Sequence, residues 1–263
     1  MTAATNPVRR PKAVLIDLAG VLHVGNQAID GAVAALARLR AAGLPLRFLT
    51  NTTRTPRRKI VEKLRRMGFD IDEDEVQTAA HAALQLVRER KLHPLYLVHP
   101  DLADEVGASA TQPDAVVLGD MGPFLDYAQL NAAFRLLMAG KPFIAMAKNR
   151  YFMDEDGLSL DMGAFVVGLE FSSGTRAEIV GKPAAAFFRT ALATLGVAPD
   201  DATVIGDDVH DDVGAAIDAG IPAILVRTGK YRAGDDADPA IRPDFVVDDF
   251  GQAVGVLLAG TRS

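Results

Sequence analysis

The chain has 263 residues, 49% of them hydrophobic and 24% charged, which is the composition of an ordinary folded protein of one or two domains. It contains no cysteine, so disulfides, thiolate metal sites and a cysteine nucleophile are excluded. The formal net charge of -6 argues against a nucleic-acid-binding surface. No apolar run is long enough to span a bilayer, and residues 1–12 lack the apolar centre of a secretion signal. We therefore expect a cytoplasmic protein without membrane or nucleic-acid partners.

Short apolar runs alternate with amphipathic segments in the first third of the chain, which predicts the order β-α-β-α. Residues 13–16 and 46–49 are predicted as buried strands. Helices are predicted over 30–43, with Asp30 as the cap, and over 55–68, where proline follows a capping threonine. Basic residues crowd the second helix, but its apolar residues recur at helical spacing. This pattern indicates an exposed basic helix face rather than a nucleic-acid site.

The last third of the chain repeats this alternation. A helix is predicted over 182–196, followed by strands over 202–205, 221–226 and 245–247. Buried strands that alternate with helices imply an α/β fold with a parallel sheet covered on both faces. The order of elements alone is compatible with a doubly wound sheet and with a (β/α)₈ barrel.

The middle of the chain, residues 79–177, carries strands and helices of its own. They are predicted at 96–98, 115–118, 127–138 and 143–146. We predict that this segment is an inserted second domain.

Polar residues follow three of the predicted strands at their carboxyl ends. Asp17 follows the first strand, and Thr50 and Asn51 follow the second. After the strand at 202–205 comes an acidic run: Asp207, Asp208, Asp211 and Asp212. Ligands of open α/β sheets bind beyond the carboxyl ends of the strands, so these residues are the candidates for a functional site.

The acidic run requires compensation of its charge. Two carboxylates 4 Å apart repel each other by about 4 kcal/mol at an effective dielectric constant near 20. Hard oxygen ligands without thiolates favour Mg²⁺, which leaves coordination positions for water and a substrate phosphate. The alternative is that Asp207 caps a helix while Asp208, Asp211 and Asp212 are solvated turn residues.

Lys182 stands in the sequence Gly181-Lys182-Pro183 at the start of a predicted helix. The N-terminus of a helix favours an anion because its N–H groups are free and its dipole end is positive. A phosphate is the natural ligand there. Taken singly, a lysine in this position is more often an ordinary surface residue, and Thr50 at a strand end is more often a turn former.

Taken together, these segments resemble the four motifs of the haloacid dehalogenase superfamily, here Asp17-Leu18-Ala19-Gly20-Val21, Thr50-Asn51, Gly181-Lys182-Pro183 and Gly206-Asp207-Asp208 with Asp212. The resemblance implies a Rossmann-like doubly wound core over 1–78 and 178–263 and an inserted C2-type cap over 79–177, as in subfamily IIA. The barrel alternative does not fit this resemblance. Three shorter segments are most similar to members that act on phosphorylated lysine and histidine and on pyrophosphate, namely 47–53, 148–151 with 156–158, and 228–232.

The resemblance also implies a mechanism, in which a small phosphorylated substrate is hydrolysed with Mg²⁺ through an aspartyl-phosphate on Asp17. The implied ligands of the metal are Asp17, the backbone carbonyl of Ala19, Asp207 and Asp212, with Asp208 in support. The implied phosphate-binding groups are Thr50, the backbone N–H of Asn51 and Lys182. In the cap, Lys148 and Arg150 are expected to select an anionic substrate, or else are two exposed basic residues on a turn.

Ala19 departs from the superfamily pattern, which places an aspartate there to protonate the leaving group. General acid-base catalysis is typically worth about 10² to 10⁴-fold, so we expect slow hydrolysis of alkyl phosphates and a preference for pyrophosphate or P–N bonds. Water, His23 or a cap residue would have to replace the acid, although a histidine in this position is more often packed or on the surface. The alternative function is a weak or inactive homologue that binds a phosphorylated ligand or a protein. A mutase is disfavoured because it needs the absent acid, and a homodimer through the cap is implied by resemblance only.

Overall fold

The computed structural model describes residues 10–154 and 157–260. Asp156, which belongs to one of the family-like segments, and the opening residues 1–9 lie outside this part. The contacts within the chain divide it into two compact units. One contains the residues up to Thr50, Ile60–Gln77 and the residues from Ala185 onward, and the other contains Asn51–Lys59 and Thr78–Ala184. Among the described helices, none has the length and apolarity that a membrane crossing requires.

The first unit is built on a six-stranded sheet whose strand order is β14-β13-β12-β1-β4-β5. Its strands are β1 (Ala13–Asp17), β4 (Leu46–Thr50), β5 (Val76–Thr78), β12 (Ala202–Gly206), β13 (Ala223–Val226) and β14 (Phe245–Val247). β1 pairs in parallel with β4 on one side and with β12 on the other. The chain therefore extends the sheet in opposite directions from β1, which confirms the predicted doubly wound α/β fold.

Helices and a short hairpin surround this sheet. They are α1 (Ala32–Ala41), α2 (Arg57–Arg66, with Arg57–Lys59 in the second unit), α7 (Ala185–Ala193), α8 (Ala215–Asp218), α9 (Phe250–Ala259) and the hairpin of β2 (His23–Val24) and β3 (Gln27–Ala28). Val14 and Ile16 of β1 lie in one apolar core with Phe48 of β4 and with Leu36 and Leu39 of α1. Each such side chain contributes about 1.5–3 kcal/mol when fully buried. This core fixes the strands from which the polar residues at the carboxyl edge project.

Three helix starts differ from the sequence prediction, and for α2 the first helical residue is Arg57 rather than the proline before it. Asp30 does not cap α1, because the N-cap is Gly31, which has φ 76° and no side chain that could bond to the first turn. The left-handed conformation that glycine permits carries the chain one residue further before the helix begins. The helix predicted from Lys182 begins only at Ala185, because residues 181–184 form a separate turn in which the backbone N–H of Ala184 donates to the carbonyl of Gly181 at 2.9 Å.

The second unit contains a four-stranded parallel sheet of order β11-β8-β7-β6. Its strands are β6 (Pro94–Leu97), β7 (Ala115–Leu118), β8 (Phe143–Ala145) and β11 (Glu178–Ile179), and a separate hairpin is formed by β9 (Tyr151–Asp154) and β10 (Gly157–Leu160). Its helices are α3 (Ala79–Glu89), α4 (Ala103–Val106), α5 (Tyr127–Met138) and α6 (Gly163–Ser173). The predicted bounds of β7 and α5 match the structure, and those of β6 and β8 differ by one or two residues.

Candidate active site

Three polar residues stand where the central strands of the first unit end. Asp17 is the last residue of β1, Thr50 is the last residue of β4, and Asp207 directly follows β12. The parallel pairing aligns Ile16 with Ile205 and Asp17 with Leu49, so these strand ends meet at one edge of the sheet. The strands that follow β1 in the chain are added first on one side of it and later on the other, so β1 marks the topological switch point of the sheet. Doubly wound sheets bind their ligands at this point.

Three carboxylates converge at this edge. Asp17, Asp207 and Asp212 each offer one oxygen atom, and these atoms all lie within 4.8 Å of one another. Their residues are only 5%, 1% and 1% exposed. At an effective dielectric constant of 20, charges 4.8 Å apart repel by about 3.5 kcal/mol per pair, so a bound cation would stabilise the group. Oxygen donors alone, without thiolate or imidazole, fit Mg²⁺.

Asp212 is held by the turn that leads from β12 into a π-helix, Val209–Gly214. The backbone N–H of Asp208 donates to Oδ2 of Asp212 at 3.2 Å. A Cβ on Gly206 would lie 2.3 Å from Cβ of Asp212, so only glycine allows this close approach. Single π-helical turns of this kind are frequent at functional sites.

Asp208 caps the π-helix and is not one of the three converging carboxylates. Its Oδ1 accepts the backbone N–H groups of His210 and Asp211, at 3.0 and 2.9 Å. Burial disfavours its charged form, but the bond from Asp211 and the ammonium of Lys230 more than offset this and lower its pKa. The cap interpretation that the sequence left open therefore describes Asp208 rather than Asp207.

Two backbone segments lie close to the carboxylate of Asp207. Its Oδ2 accepts the backbone N–H of Lys230 at 2.6 Å. A Cβ on Gly20 would lie 2.0 Å from the same oxygen, and Gly20 has φ 93°, so a side chain there would be excluded by sterics and by conformation. The segment 228–232 thus contributes to the site, a role that the sequence alone did not assign to it.

Ala19 and His23 belong to the loop and hairpin that follow β1. Ala19 is exposed, and it forms an isolated bridge with His23. His23 is 8% exposed, and its Nδ1 donates to the carbonyl of Gly25 at 3.0 Å. Burial, together with the charge of Lys63, lowers the pKa of His23 despite the bond to Gly25. His23 is therefore a packed histidine of the hairpin.

Asn51 and Lys182 lie in the second unit, where they bond to each other across 131 positions of sequence. The side-chain amide of Asn51 donates to the carbonyl of Lys182 at 2.8 Å and accepts its backbone N–H at 2.7 Å. A Cβ on Gly181 would lie 2.7 Å from Oδ1 of Asn51, so the glycine permits this contact. This role of the Asn51 side chain was not predicted, because the motif pointed only to the backbone N–H of that residue.

The two basic residues predicted to select substrate have different surroundings. Lys148 makes an ion pair with Glu170, with 2.6 Å between Nζ and Oε2. Arg150 is exposed at the turn before β9. The structure thus groups Asp17, Asp207 and Asp212 and joins Asn51 to Lys182, while the roles of Lys148 and Arg150 in substrate selection stay predictions.

Comparisons with known proteins agree with this architecture. A family model described as haloacid dehalogenase-like hydrolase matches residues 14–110, and one described as HAD-hydrolase-like matches residues 179–253. The chain is 45% identical over 251 residues to human haloacid dehalogenase-like hydrolase domain-containing protein 2, covering 95% of this chain and 97% of the relative. It is 43% identical over 267 aligned positions to the phospholysine phosphohistidine inorganic pyrophosphate phosphatase of Xenopus laevis, covering 98% of each.

A solved structure gives the same result for the fold. The glycerol phosphate phosphatase of Mycobacterium tuberculosis, crystallised in complex with magnesium, superposes with a TM-score of 0.81 and 28% identity. The match covers 94% of this chain and 76% of that one.

Proposed function

Because the chain belongs to the haloacid dehalogenase-like hydrolases, we propose that it is a Mg²⁺-dependent phosphatase that acts on a small phosphorylated compound through an aspartyl-phosphate. The observation that carries the proposal is the grouping of Asp17, Asp207 and Asp212, three buried carboxylates within 4.8 Å at the switch point of the sheet. The names of two relatives, a pyrophosphate phosphatase and a glycerol phosphate phosphatase, support the reaction class.

Asp17 is the proposed nucleophile. Its carboxylate oxygen forms a bond to phosphorus while the bond from phosphorus to the leaving group breaks. Water then attacks the phosphorus, which releases inorganic phosphate and restores the carboxylate. The group best suited to hold Mg²⁺ is Asp17, Asp207 and Asp212 with the backbone carbonyl of Ala19. When bound, the ion would neutralise negative charge on the phosphate oxygens.

Phosphate binding is assigned to Thr50, the backbone N–H of Asn51 and Lys182, following the order of the family motifs. Charge accumulates on the three equatorial oxygens during phosphoryl transfer, so donors and a cation aimed at them stabilise the transition state. Lys182 is a buried cation, 5% exposed, whose backbone is fixed on both sides by Asn51. We further assign residues 79–177 as the cap and Lys148 and Arg150 as its contribution to anion selection.

The substrate preference follows from Ala19. Without a carboxyl group at this position, leaving groups that need no proton from a protein side chain, such as a weakly basic phosphate or a nitrogen already protonated from solvent, are favoured over alkoxides. Pyrophosphate and P–N bonds provide such leaving groups, and the Xenopus relative carries both in its name. We therefore propose pyrophosphate or a phosphoramidate as the better class of substrate.

The test is phosphate release from pyrophosphate and 4-nitrophenyl phosphate with MgCl₂, by wild type and Asp17→Asn. We expect the variant to fall below about one thousandth of the wild-type rate, as for loss of a covalent nucleophile. Asp218→Asn is the matched control, because Asp218 is exposed on α8, and it should retain wild-type activity. Binding of Mg²⁺ without turnover on either substrate would instead indicate a non-catalytic phospholigand-binding protein.

A further inference from the structure

The loop that follows β13 contacts both chain segments that supply the three carboxylates. Its residues Thr228, Gly229 and Lys230 belong to the segment 228–232, for which the sequence suggested no role. On one side the loop reaches Gly20, three residues after Asp17, and on the other it reaches Asp207. The loop thus lies against the ends of both β1 and β12.

Gly229 brings the loop unusually close to both segments. A Cβ there would lie 2.4 Å from Cα of Gly20 and 2.1 Å from Oδ2 of Asp207. Gly229 also has φ 61°, a conformation that favours glycine. The backbone N–H of the next residue, Lys230, donates to the same Oδ2. One side of the Asp207 carboxylate is therefore fixed by this loop.

Gly20 is held through both of its backbone polar groups. Its N–H donates to the carbonyl of His23 at 2.8 Å, and its carbonyl accepts the hydroxyl of Thr228. In a planar trans peptide the carbonyl of Ala19 points away from the N–H of Gly20. The orientation of the Ala19 carbonyl, an assigned metal ligand, therefore depends on how Gly20 is held. Glycine has the greatest backbone freedom of any residue. The two bonds of Gly20 therefore restrict the most flexible residue of the segment.

We propose that Thr228 is a positioning residue for the metal site: its hydroxyl fixes Gly20 and so preorganises the segment from Asp17 to Gly20 for binding Mg²⁺. This inference rests on the proposed Mg²⁺ site. Groups that hold the ligands of a metal typically change its affinity without touching the ion. The loss of entropy on ordering the Asp17–Gly20 segment then occurs when the protein folds and not when Mg²⁺ binds. The hydroxyl is the essential feature, because the carbonyl of Gly20 needs a donor.

The experiment compares Thr228→Val, which keeps the shape but removes the donor, with Thr228→Ser, which keeps the donor. Mg²⁺ affinity is measured by calorimetric titration with MgCl₂ in the absence of substrate. We expect Thr228→Val to weaken binding by about two- to tenfold, the range that one neutral hydrogen bond supports, and Thr228→Ser to stay near wild type. At saturating Mg²⁺ the turnover of Thr228→Val should approach that of wild type, since the effect lies in metal affinity.

Thr190→Val is the matched control. The Thr190 hydroxyl donates to the carbonyl of Ala186 within α7 at 2.8 Å, and the residue is half-buried, as Thr228 is, although its bond is more exposed. It loses the same kind of bond away from the carboxylates and should bind Mg²⁺ like wild type. The melting temperature without Mg²⁺, measured for all variants, separates a general loss of stability from a loss of affinity.

Three outcomes would overturn the inference: a wild type that does not bind Mg²⁺, a Thr228→Val affinity within twofold of wild type, or a Thr228→Ser affinity as weak as that of Thr228→Val. Thr228→Ala provides a second donor-free variant if the valine variant does not fold. A wild type that binds Mg²⁺ but releases no phosphate would contradict the phosphatase proposal and leave the comparison at Thr228 intact. The two proposals can therefore fail separately.

Discussion

The side chain of Ala19 is a methyl group two residues after Asp17, and it can neither donate nor accept a proton. The residue is exposed, whereas Asp17 is buried, so a larger side chain has room to extend. We predict that Ala19→Asp raises kcat/KM for an alkyl phosphate, such as glycerol 3-phosphate, by about 10²-fold or more, the usual worth of a general acid. The gain on pyrophosphate should be much smaller because its leaving group needs less protonation. Steady-state kinetics on both substrates measure the two gains.

Ala19→Asn is the control for this substitution. It has nearly the shape of aspartate but no carboxyl proton to transfer. Equal kinetics for the aspartate and asparagine variants would contradict the placement of position 19 beside the leaving group.

Some residues of the candidate site can be predicted from the sequence and others cannot, and the difference has a physical reason. Asp17 and Asp207 are predictable as strand-end residues because apolar runs mark the strands that precede them. The bond between Asn51 and Lys182 is not predictable, since 131 positions separate the partners and an amide side chain can donate or accept almost anywhere. The hydroxyl of Thr228 is missed for the same reason.

The start of helix α2 is stabilised by an acidic residue from another element. Glu105 of α4 accepts the backbone N–H of Arg57 through Oε2 at 3.0 Å, and its Oε1 accepts Nε of Arg57 at 3.2 Å. A carboxylate at a helix N-terminus satisfies a free N–H and interacts favourably with the dipole. We predict that Glu105→Ala lowers the free energy of unfolding by about 1–2 kcal/mol, measured from urea denaturation curves.

Two comparisons test this helix contact. Glu105→Gln should lose less than Glu105→Ala, because its amide oxygen still accepts the N–H of Arg57. Glu62 lies exposed on the same helix, and Glu62→Ala should change stability by less than about 0.5 kcal/mol. Equal losses for Glu105→Ala and Glu62→Ala would show that the contact contributes nothing.

Helices and strands could be predicted where the buried residues of the structure are also the apolar residues that recur regularly in the sequence. They could not be predicted elsewhere. The buried strands β1, β7 and β12 have nearly continuous apolar sequences, interrupted in β12 by Thr203, so their positions follow from the sequence. In β10, by contrast, Leu158 and Leu160 are exposed while the smaller Gly157 and Ser159 are less so. That arrangement reverses the usual relation between apolarity and burial, and no strand was predicted there.

For the whole molecule, the sequence predicted a parallel α/β sheet but did not separate a doubly wound sheet from a barrel without the family resemblance. The second compact unit contains 51–59 as well as 78–184, and the cap over 79–177 stays a prediction. Ion pairs explain part of this grouping: Arg54 bonds to Asp120 at 2.6 Å, and Lys59 bonds to Asp101 at 2.9 Å. Such pairs join residues far apart in sequence and leave no local pattern.

The stability of the whole protein should depend on pH through His23. Burial, aided by Lys63, lowers its pKa below the usual value of 6.5. As the pH falls through about 6.5, the histidine of the unfolded chain takes up a proton while that of the folded protein does not. The unfolded state then binds more protons, so the free energy of unfolding decreases with falling pH until the lower folded pKa is reached. Carboxylates with lowered pKa, such as Asp208 and Glu75, lose their contribution only at more acidic pH.

We therefore predict that the melting temperature of wild type falls between pH 7.5 and pH 5.5 more steeply than that of His23→Asn. Asparagine retains an N–H donor for the carbonyl of Gly25, which His23 now bonds at 3.0 Å, but it does not titrate in this range. Differential scanning calorimetry at several pH values measures both slopes. Parallel slopes would mean that His23 does not carry this pH dependence. A steeper slope for the asparagine variant would mean that His23 stabilises the folded protein as the pH falls, which is the opposite of the prediction. The folded protein would then bind more protons at His23 than the unfolded chain does.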